Sequence, residues 1–451
     1  MIWSRGGIHL LPVLAVLLLT GADWPEFRGH DGTATSADLG LPEHWDNAKN
    51  LIWKVKLPGG GNSSPIIFAD RVYLTCYSGY GTNRDNLGNQ QDLVRHLMCF
   101  DRKDGASVWK TDIRTDTPEV AYQGQVQQHG YASNTPATDG KRLYVLLGTA
   151  GVFAFDLNGK QLWKHGVGTG TDRYGSGSSV RLFEDLVIVN ASIESGAVVA
   201  LKKENGDEVW RYEGLRRSWG TPALVQTVAG THELVVTSQE QITGLDPRTG
   251  KELWRCEGIG DYTCPSVVPG KGVAWITGGR TSSLIAVRAG EATNTDRVLW
   301  RKPIGGNVPT PVFYQGHLFG ASDRLGIAWC VNAESGEVLY KERLTTDAVR
   351  VRPTAFQQGG RRGGGEGGGL QFYASAVAAD GKIYIVSRTA GTFVFAARPE
   401  FEVLARNQFE GDEGPFDGTP AISDSRIYLR SSAYLYCVGR KQPGIRKHDG
   451  L

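Results

Sequence analysis

The side chains best suited to chemistry in this chain are arginines set among aromatics. They are Arg84, Arg173, Arg216, Arg217, Arg280, Arg324, Arg350, Arg352, Arg388 and Arg430, interleaved with His129, Tyr131, Tyr174, Trp219, Asp261, Tyr262 and Asp323. A guanidinium is a planar fork that bonds carboxylates bidentately and stacks on ring faces. The set points to recognition of an anionic or hydroxyl-rich ligand. It fits equally a plainer role in which Arg and Asp pair to brace neighbouring loops, and both readings stay open here. Lysines fall elsewhere, at Lys103, Lys141, Lys160, Lys202, Lys251 and Lys382, in short Asp/Gly turns and at strand ends.

Catalytic signatures are scarce. His-Glu-x-x-His, Gly-x-x-x-x-Gly-Lys-Ser/Thr, Gly-x-Ser-x-Gly and the haem-attaching Cys-x-x-Cys-His are all absent. The nine histidines are scattered without metal-ligand spacing. Residues 83–88 follow part of a calcium-loop pattern, but Leu87 stands at a ligand position and the downstream Glu is missing, so a dry surface turn is expected. No catalytic residue and no metal ligand can be named. A net charge of +2 gives no reason to expect nucleic acid.

The elements that must carry these arginines are written in a repeated phrase. It runs from a small residue through an Asp- and Gly-containing turn to a strand bearing Trp. Copies include Cys99…Gly105…Trp109, Ala154…Gly159…Trp163, Ala200…Gly206…Trp210 and Gly244-Leu-Asp-Pro-Arg-Thr-Gly250…Trp254, with looser ones at Ala286…Trp300 and Cys330…Gly336…Tyr340. Self-similarity at roughly 40–55 residues marks a repeat architecture. Upstream of each phrase stands a small polar segment, as in Ser63-Ser-Pro65, Asn134-Thr-Pro136 and Gly418-Thr-Pro420, then a tight turn and an apolar strand. These are strand signals with no helical period. Each copy reads as four strands, A to D, with the small residue on C and the Trp on D, and the Trp series packing as core between adjacent sheets.

Eight copies begin near Ser63, Ala132, Gly175, Trp219, Thr263, Val308, Tyr373 and Asp417. The last stops after strand C, at Leu435-Tyr-Cys437-Val, whereas Leu51-Ile-Trp53-Lys-Val-Lys-Leu57 is a D strand without a blade. The two deficits complement one another. The expectation is an all-β, eight-bladed β-propeller closed by the N-terminal strand. B–C loops and D–A crossovers then share one face, which takes the insertion at 78–95, the connection from Thr115 to Tyr131, the Gly-rich 357–371 and the arginines. Function is expected at the channel mouth on that face.

Residues 1–22 read as a secretory signal peptide, with Arg5, an apolar run from Ile8 to Leu19, and Thr20-Gly-Ala22 for cleavage. The propeller would fill 23–441 and a tail 442–451. Asp23 follows the cleavage site, so no lipid-attaching Cys is expected there, nor a transmembrane anchor. A periplasmic or secreted monomer is expected. Of six cysteines, Cys99, Cys330 and Cys437 occupy the small-residue position, and Cys256 with Cys264 is the better disulfide candidate if geometry allows.

The phrase around Gly244, together with Asp23-Trp-Pro-Glu-Phe-Arg-Gly29 and Leu51-Ile-Trp-Lys, resembles the pyrroloquinoline quinone (PQQ)-type propeller-repeat proteins that bacteria secrete. The resemblance spans nearly all of the mature chain. It implies one of two behaviours. Quinoprotein alcohol or sugar dehydrogenases hold PQQ with calcium in the channel, in the methanol-dehydrogenase type against a disulfide of adjacent cysteines, which this chain lacks. The propeller lipoprotein of outer-membrane-protein assembly instead binds a partner through its loops. A non-catalytic binding or scaffold module is the preferred reading, with a protein partner, an anionic or hydroxyl-rich small ligand, or a glycan at the mouth. A PQQ-dependent oxidoreductase is the alternative.

Overall fold

Strand A of every repeat is short, because it runs beside the crowded axis, and the three strands outside it are longer and similar to one another. The computed structural model describes residues 23–83, 85–291, 296–345 and 370–440. It contains eight four-stranded antiparallel sheets. Blade 1 comprises Ile66–Phe68, Arg71–Ser78, Val94–Asp101 and Ser107–Ile113. The pattern recurs to blade 7, which starts at Val377–Ala379 and ends at Val403–Asn407. Blade 8 takes Ala421–Ser423, Arg426–Arg430 and Tyr434–Gly439 from the end of the chain and Leu51–Lys56 from its beginning. Trp53 stands opposite Cys437 and Lys56 opposite Tyr434, so the expected closure is found. Helix among the described residues is limited to four 3-10 turns.

Register explains the phrase. Cys99, Ala154, Ala200, Ala286 and Cys437 each lie directly across from a Trp, and Cys330 lies across from Tyr340. The pair at Gly244 and Trp254 departs from Ala because a Cβ there would sit 2.1 Å from the indole. A bulge beside each Trp leaves its predecessor unpaired, which is why Val108, Leu162, Val209, Leu253 and Leu299 face solvent. The indoles reach the next blade. Trp53, Trp109, Trp163 and Trp210 donate to the carbonyls of Arg102, Leu157, Lys203 and Pro247 at 3.0–3.2 Å. The C–D turn must be Gly because it is left-handed and pressed on the ring: at Gly250, φ is 69° and a Cβ would lie 2.5 Å from Trp210.

A second set of contacts closes the ring at its axis. Two positions before each strand A stands a Ser or Thr whose hydroxyl accepts the equivalent backbone N–H of the blade before it. The series runs Ser64, Thr135, Ser179, Thr221, Ser266, Thr310, Ser375 and Thr419, and Thr419 N–H returns to Ser64, all at 2.9–3.2 Å. This circle ties all eight sheets, and backbone bonds such as Ser63 N–H to the Ala132 carbonyl and Trp219 N–H to the Thr263 carbonyl add to it between particular neighbours.

The segment from 23 to 45 is the element that sequence reading leaves without a place. It crosses the A–B/C–D face under the channel. Trp24 pairs with Ile67 of blade 1, Pro25 accepts from Thr138 of blade 2, and Ala34 accepts from Ala378 of blade 7. Between them Glu26 meets Arg181 of blade 3, and Arg28 donates to the Thr310 and Pro311 carbonyls of blade 6. The chain thus spans the axis within a few residues, and Phe27 becomes the channel floor.

Cys256 and Cys264 are both free, a correction to the disulfide candidate. Cys256 belongs to the rim strand Glu252–Glu257, whereas the crossover carries Cys264 inward to the channel wall. Cys99, Cys330 and Cys437 are buried as expected. The signal-peptide region 1–22, the tail, Arg84, Arg350, Arg352 and all of 357–371 except its last two residues lie outside the described residues.

Candidate functional site: a blind pocket at the channel mouth

The B–C loops and D–A crossovers share one face, and among the described residues they contain no Lys. They surround a cavity of about 220 Å³ on the axis. Its floor is Phe27, its waist the Ser/Thr circle, and its upper wall includes His129, Tyr174, Trp219, Tyr262, Asn307 and Tyr373. Because the N-terminal segment seals the far end, the pocket opens only at the mouth.

Three aromatics from successive crossovers make one side. Tyr174 stacks on Tyr262 at 5.6 Å, and Trp219 meets both edge-on at 5.5 and 6.1 Å. The Trp219 indole donates to the Gly175 carbonyl at 2.7 Å, fixing its ring. Arg173 stacks over Tyr174 at 5.0 Å and Arg217 over Tyr262 at 5.5 Å, and neither has a carboxylate partner among the described residues. Arg280 and Arg324 are two-thirds exposed and only loosely paired, to Asp261 at 3.5 Å and Asp323 at 3.4 Å. Such pairs hold their charges weakly in water.

Other expected site residues serve the ring instead. Arg430 is buried and donates to Ser63 and to the Thr75 carbonyl, joining blade 8 to blade 1. Arg388 grips Asp417 through two bonds of 2.8 and 3.0 Å, stacks on Tyr373 and reaches Gln128 at 2.9 Å. Asp323 accepts from the Asn307 backbone N–H at 3.1 Å. Tyr131 points away from the cavity, into a cluster with Tyr77, Tyr80 and Tyr122 that packs the blade 1 insertion. His129 contacts Ser133 at 2.9 Å and the Tyr174 carbonyl, and burial pulls its pKa down, keeping the ring neutral. The bracing role therefore holds for Arg388 and Arg430, whereas Arg173 and Arg217 stand without acidic partners among the described residues.

Sequence reading missed Gln125, Gln128, Asn307, Tyr373, Asp417 and Phe27 as pocket residues. The Ser/Thr circle left a signal, a hydroxyl two residues before every apolar strand A. Phe27 left none.

The donor set does not fit a calcium-held quinone. Calcium asks for six or more oxygen ligands. Both oxygens of Asp417, a carboxylate in the cavity wall, are taken by Arg388. No three His, Cys, Asp or Glu side chains come together as metal ligands among the described residues. Tyr174 and Tyr262 stack on each other, so no planar group fits between them. Cys264 is no nucleophile, since burial pushes its thiol up to about 12.

Comparison with known proteins agrees with this architecture. Residues 94–342, more than half of the chain, match the family model described as outer membrane protein assembly factor BamB. BamB from Moraxella catarrhalis superimposes with a TM-score of 0.55 at 12% identity, covering 86% of this chain and 99% of that one. Quinohemoprotein alcohol dehydrogenase from Comamonas testosteroni gives 0.61 at 12% identity, with 94% and 81% covered. A europium-containing methanol dehydrogenase gives 0.61 at 11%, with 93% and 98% covered. At such identities the likeness shows the fold alone. No curated protein matches the sequence. The family match and the eight closed blades together establish that the chain belongs to the PQQ-like, BamB-type β-propeller repeat proteins.

Proposed function

We propose that this chain is an exported, non-catalytic binding module that captures an anionic, hydroxyl-rich ligand at the channel mouth. One observation carries the reading: Arg173 and Arg217, without carboxylate partners among the described residues, lie over Tyr174 and Tyr262, two rings of the pocket wall. A guanidinium held over a ring is positioned but not neutralised, so its charge stays available to an oxyanion. The relatives described as outer membrane protein assembly factors support a protein-binding form of the same reading, in which an acidic patch would meet these arginines. Export follows from the leader-like residues 1–22.

The test is a fluorescence titration, reporting on Trp219, with a polyuronate, a sulfated polysaccharide, an acidic peptide and a neutral glucan. At least one anionic probe binds, with affinity falling as salt rises, and Arg217→Ala weakens it roughly tenfold, about the value of one charged hydrogen bond. Binding that ignores both Arg173→Ala and Arg217→Ala would overturn the assignment.

A further inference from the structure

We infer that the throat of the channel is an end-on site for the terminal acidic sugar of an oligosaccharide. The inference rests on the mouth being the ligand-binding face and names the ligand's class and mode of entry.

The Ser/Thr circle sets the chemistry. Each of its hydroxyls accepts a backbone N–H, and none has an acceptor for its own proton among the described residues. A hydroxyl already accepting one hydrogen bond is polarised to donate the next. All eight hydroxyl-bearing residues line the cavity, so a ring of O–H donors surrounds its axis. Acceptors are few by comparison, because Asp417 is consumed by Arg388.

An independent feature stands just above the ring. Asn307 is 94% buried and lines the cavity. Its Nδ2 donates to the Tyr262 hydroxyl at 2.8 Å, while its Oδ1, an acceptor, has no partner. A buried amide oxygen left unpaired is costly, and a sugar hydroxyl donating to it would relieve it.

A donor-rich wall fits a ligand end rich in acceptor oxygens. Carboxylate, ring and hydroxyl oxygens of an acidic sugar are that. A peptide end brings one N–H per residue and would find few acceptors here. The rims of Trp219 and Tyr262 offer apolar surface to the C–H face of a sugar, and Arg324 at the lip meets an acid group on the next unit. Geometry settles the mode of entry. Phe27 and the segment carrying it close the floor, so a chain cannot thread through and only an end can enter.

The experiment is calorimetric titration of the full mature chain with trigalacturonate, with polygalacturonate at equal uronate concentration, and with the neutral methyl ester of the trimer. The expected result is binding that follows the molar concentration of chain ends, so the polymer is weaker per uronate in proportion to its length. The ester binds at least tenfold more weakly than the acid. Val308→Trp, which narrows the throat without touching the circle's hydroxyls, lowers trimer affinity at least tenfold, with folding checked by its thermal transition. Equal affinity per uronate for trimer and polymer, insensitive to Val308→Trp but lost in Arg217→Ala, would overturn the end-on site and leave the mouth reading intact. Binding of the sulfated polysaccharide or acidic peptide without either uronate would overturn the acidic-sugar class alone. Loss of all anion binding would end both readings.

Discussion

The two ends of the channel use the same residue type in opposite ways. At the floor Arg28 is fully buried and gives its N–H groups to the Gly32, Thr310 and Pro311 carbonyls. Beside it Arg181 holds Glu26. Burial, with Arg181 nearby, pulls the Arg28 guanidinium down to about 9 and pushes the Glu26 carboxyl up against the pull of Arg181. At the mouth, Arg173, Arg280 and Arg324 are exposed and Arg217 is half-buried, and two of the four have no acidic partner among the described residues. A floor arginine is a strut, whereas a mouth arginine is available. Surroundings make the difference, since a desolvated charge must be satisfied by the protein and a solvated one need not be.

The sharpest way to break this contrast is to find a strut on the mouth side. Arg388→Ala leaves Asp417 buried beside the pocket without its cation and should cost about 3–5 kcal/mol in urea unfolding. Next, Arg28→Ala strands three carbonyls under the floor and should cost at least about 3 kcal/mol by the same measurement. A mild effect there would mean the floor segment is held by its other contacts, through Trp24, Pro25, Glu26 and Ala34.

Glu194, in the mouth-face loop of blade 3, sharpens the contrast by pH. One of its carboxyl oxygens has no partner, and burial raises its pKa to about 7. A carboxyl whose pKa is raised on folding favours the native state most below its unfolded value of 4.5, and that contribution is lost as pH rises towards 7. The loss is on the order of 3 kcal/mol at most. Glu194→Gln should flatten the fall in stability between pH 5 and pH 8, read as thermal midpoints. The smallest structural effect belongs to Arg217→Ala, which should leave stability within about 0.5 kcal/mol while removing most ligand affinity.

The blade count was legible because Trp and its small partner must alternate wherever sheets stack, and each copy repeats that requirement. The closure was legible because Leu51–Lys56 carries the Trp that the last blade lacks. The mouth was legible in part. Trp219, Tyr262, Arg217 and Arg324 gather where the loop assignment puts them, whereas Tyr131 turns into the insertion core and Arg430 into the blade joint. Nothing in the local sequence separates Arg430 from Arg324, because one ends a short apolar strand and the other stands three residues beyond one.

Local rules were enough for whatever repeats: strands, turns, the small residue opposite each indole, and the hydroxyl two places before each strand A. They operate within a few residues of chain, so the amino-acid order alone determined them. The tertiary structure decided which arginines are desolvated, that Cys256 and Cys264 stand apart, and that residues 23–45 seal one end of the channel. Each of these depends on how the chain is carried between blades, as when Arg28 meets Thr310 and Pro311 across the axis. Only closure of the ring brings such groups together and removes the water between them.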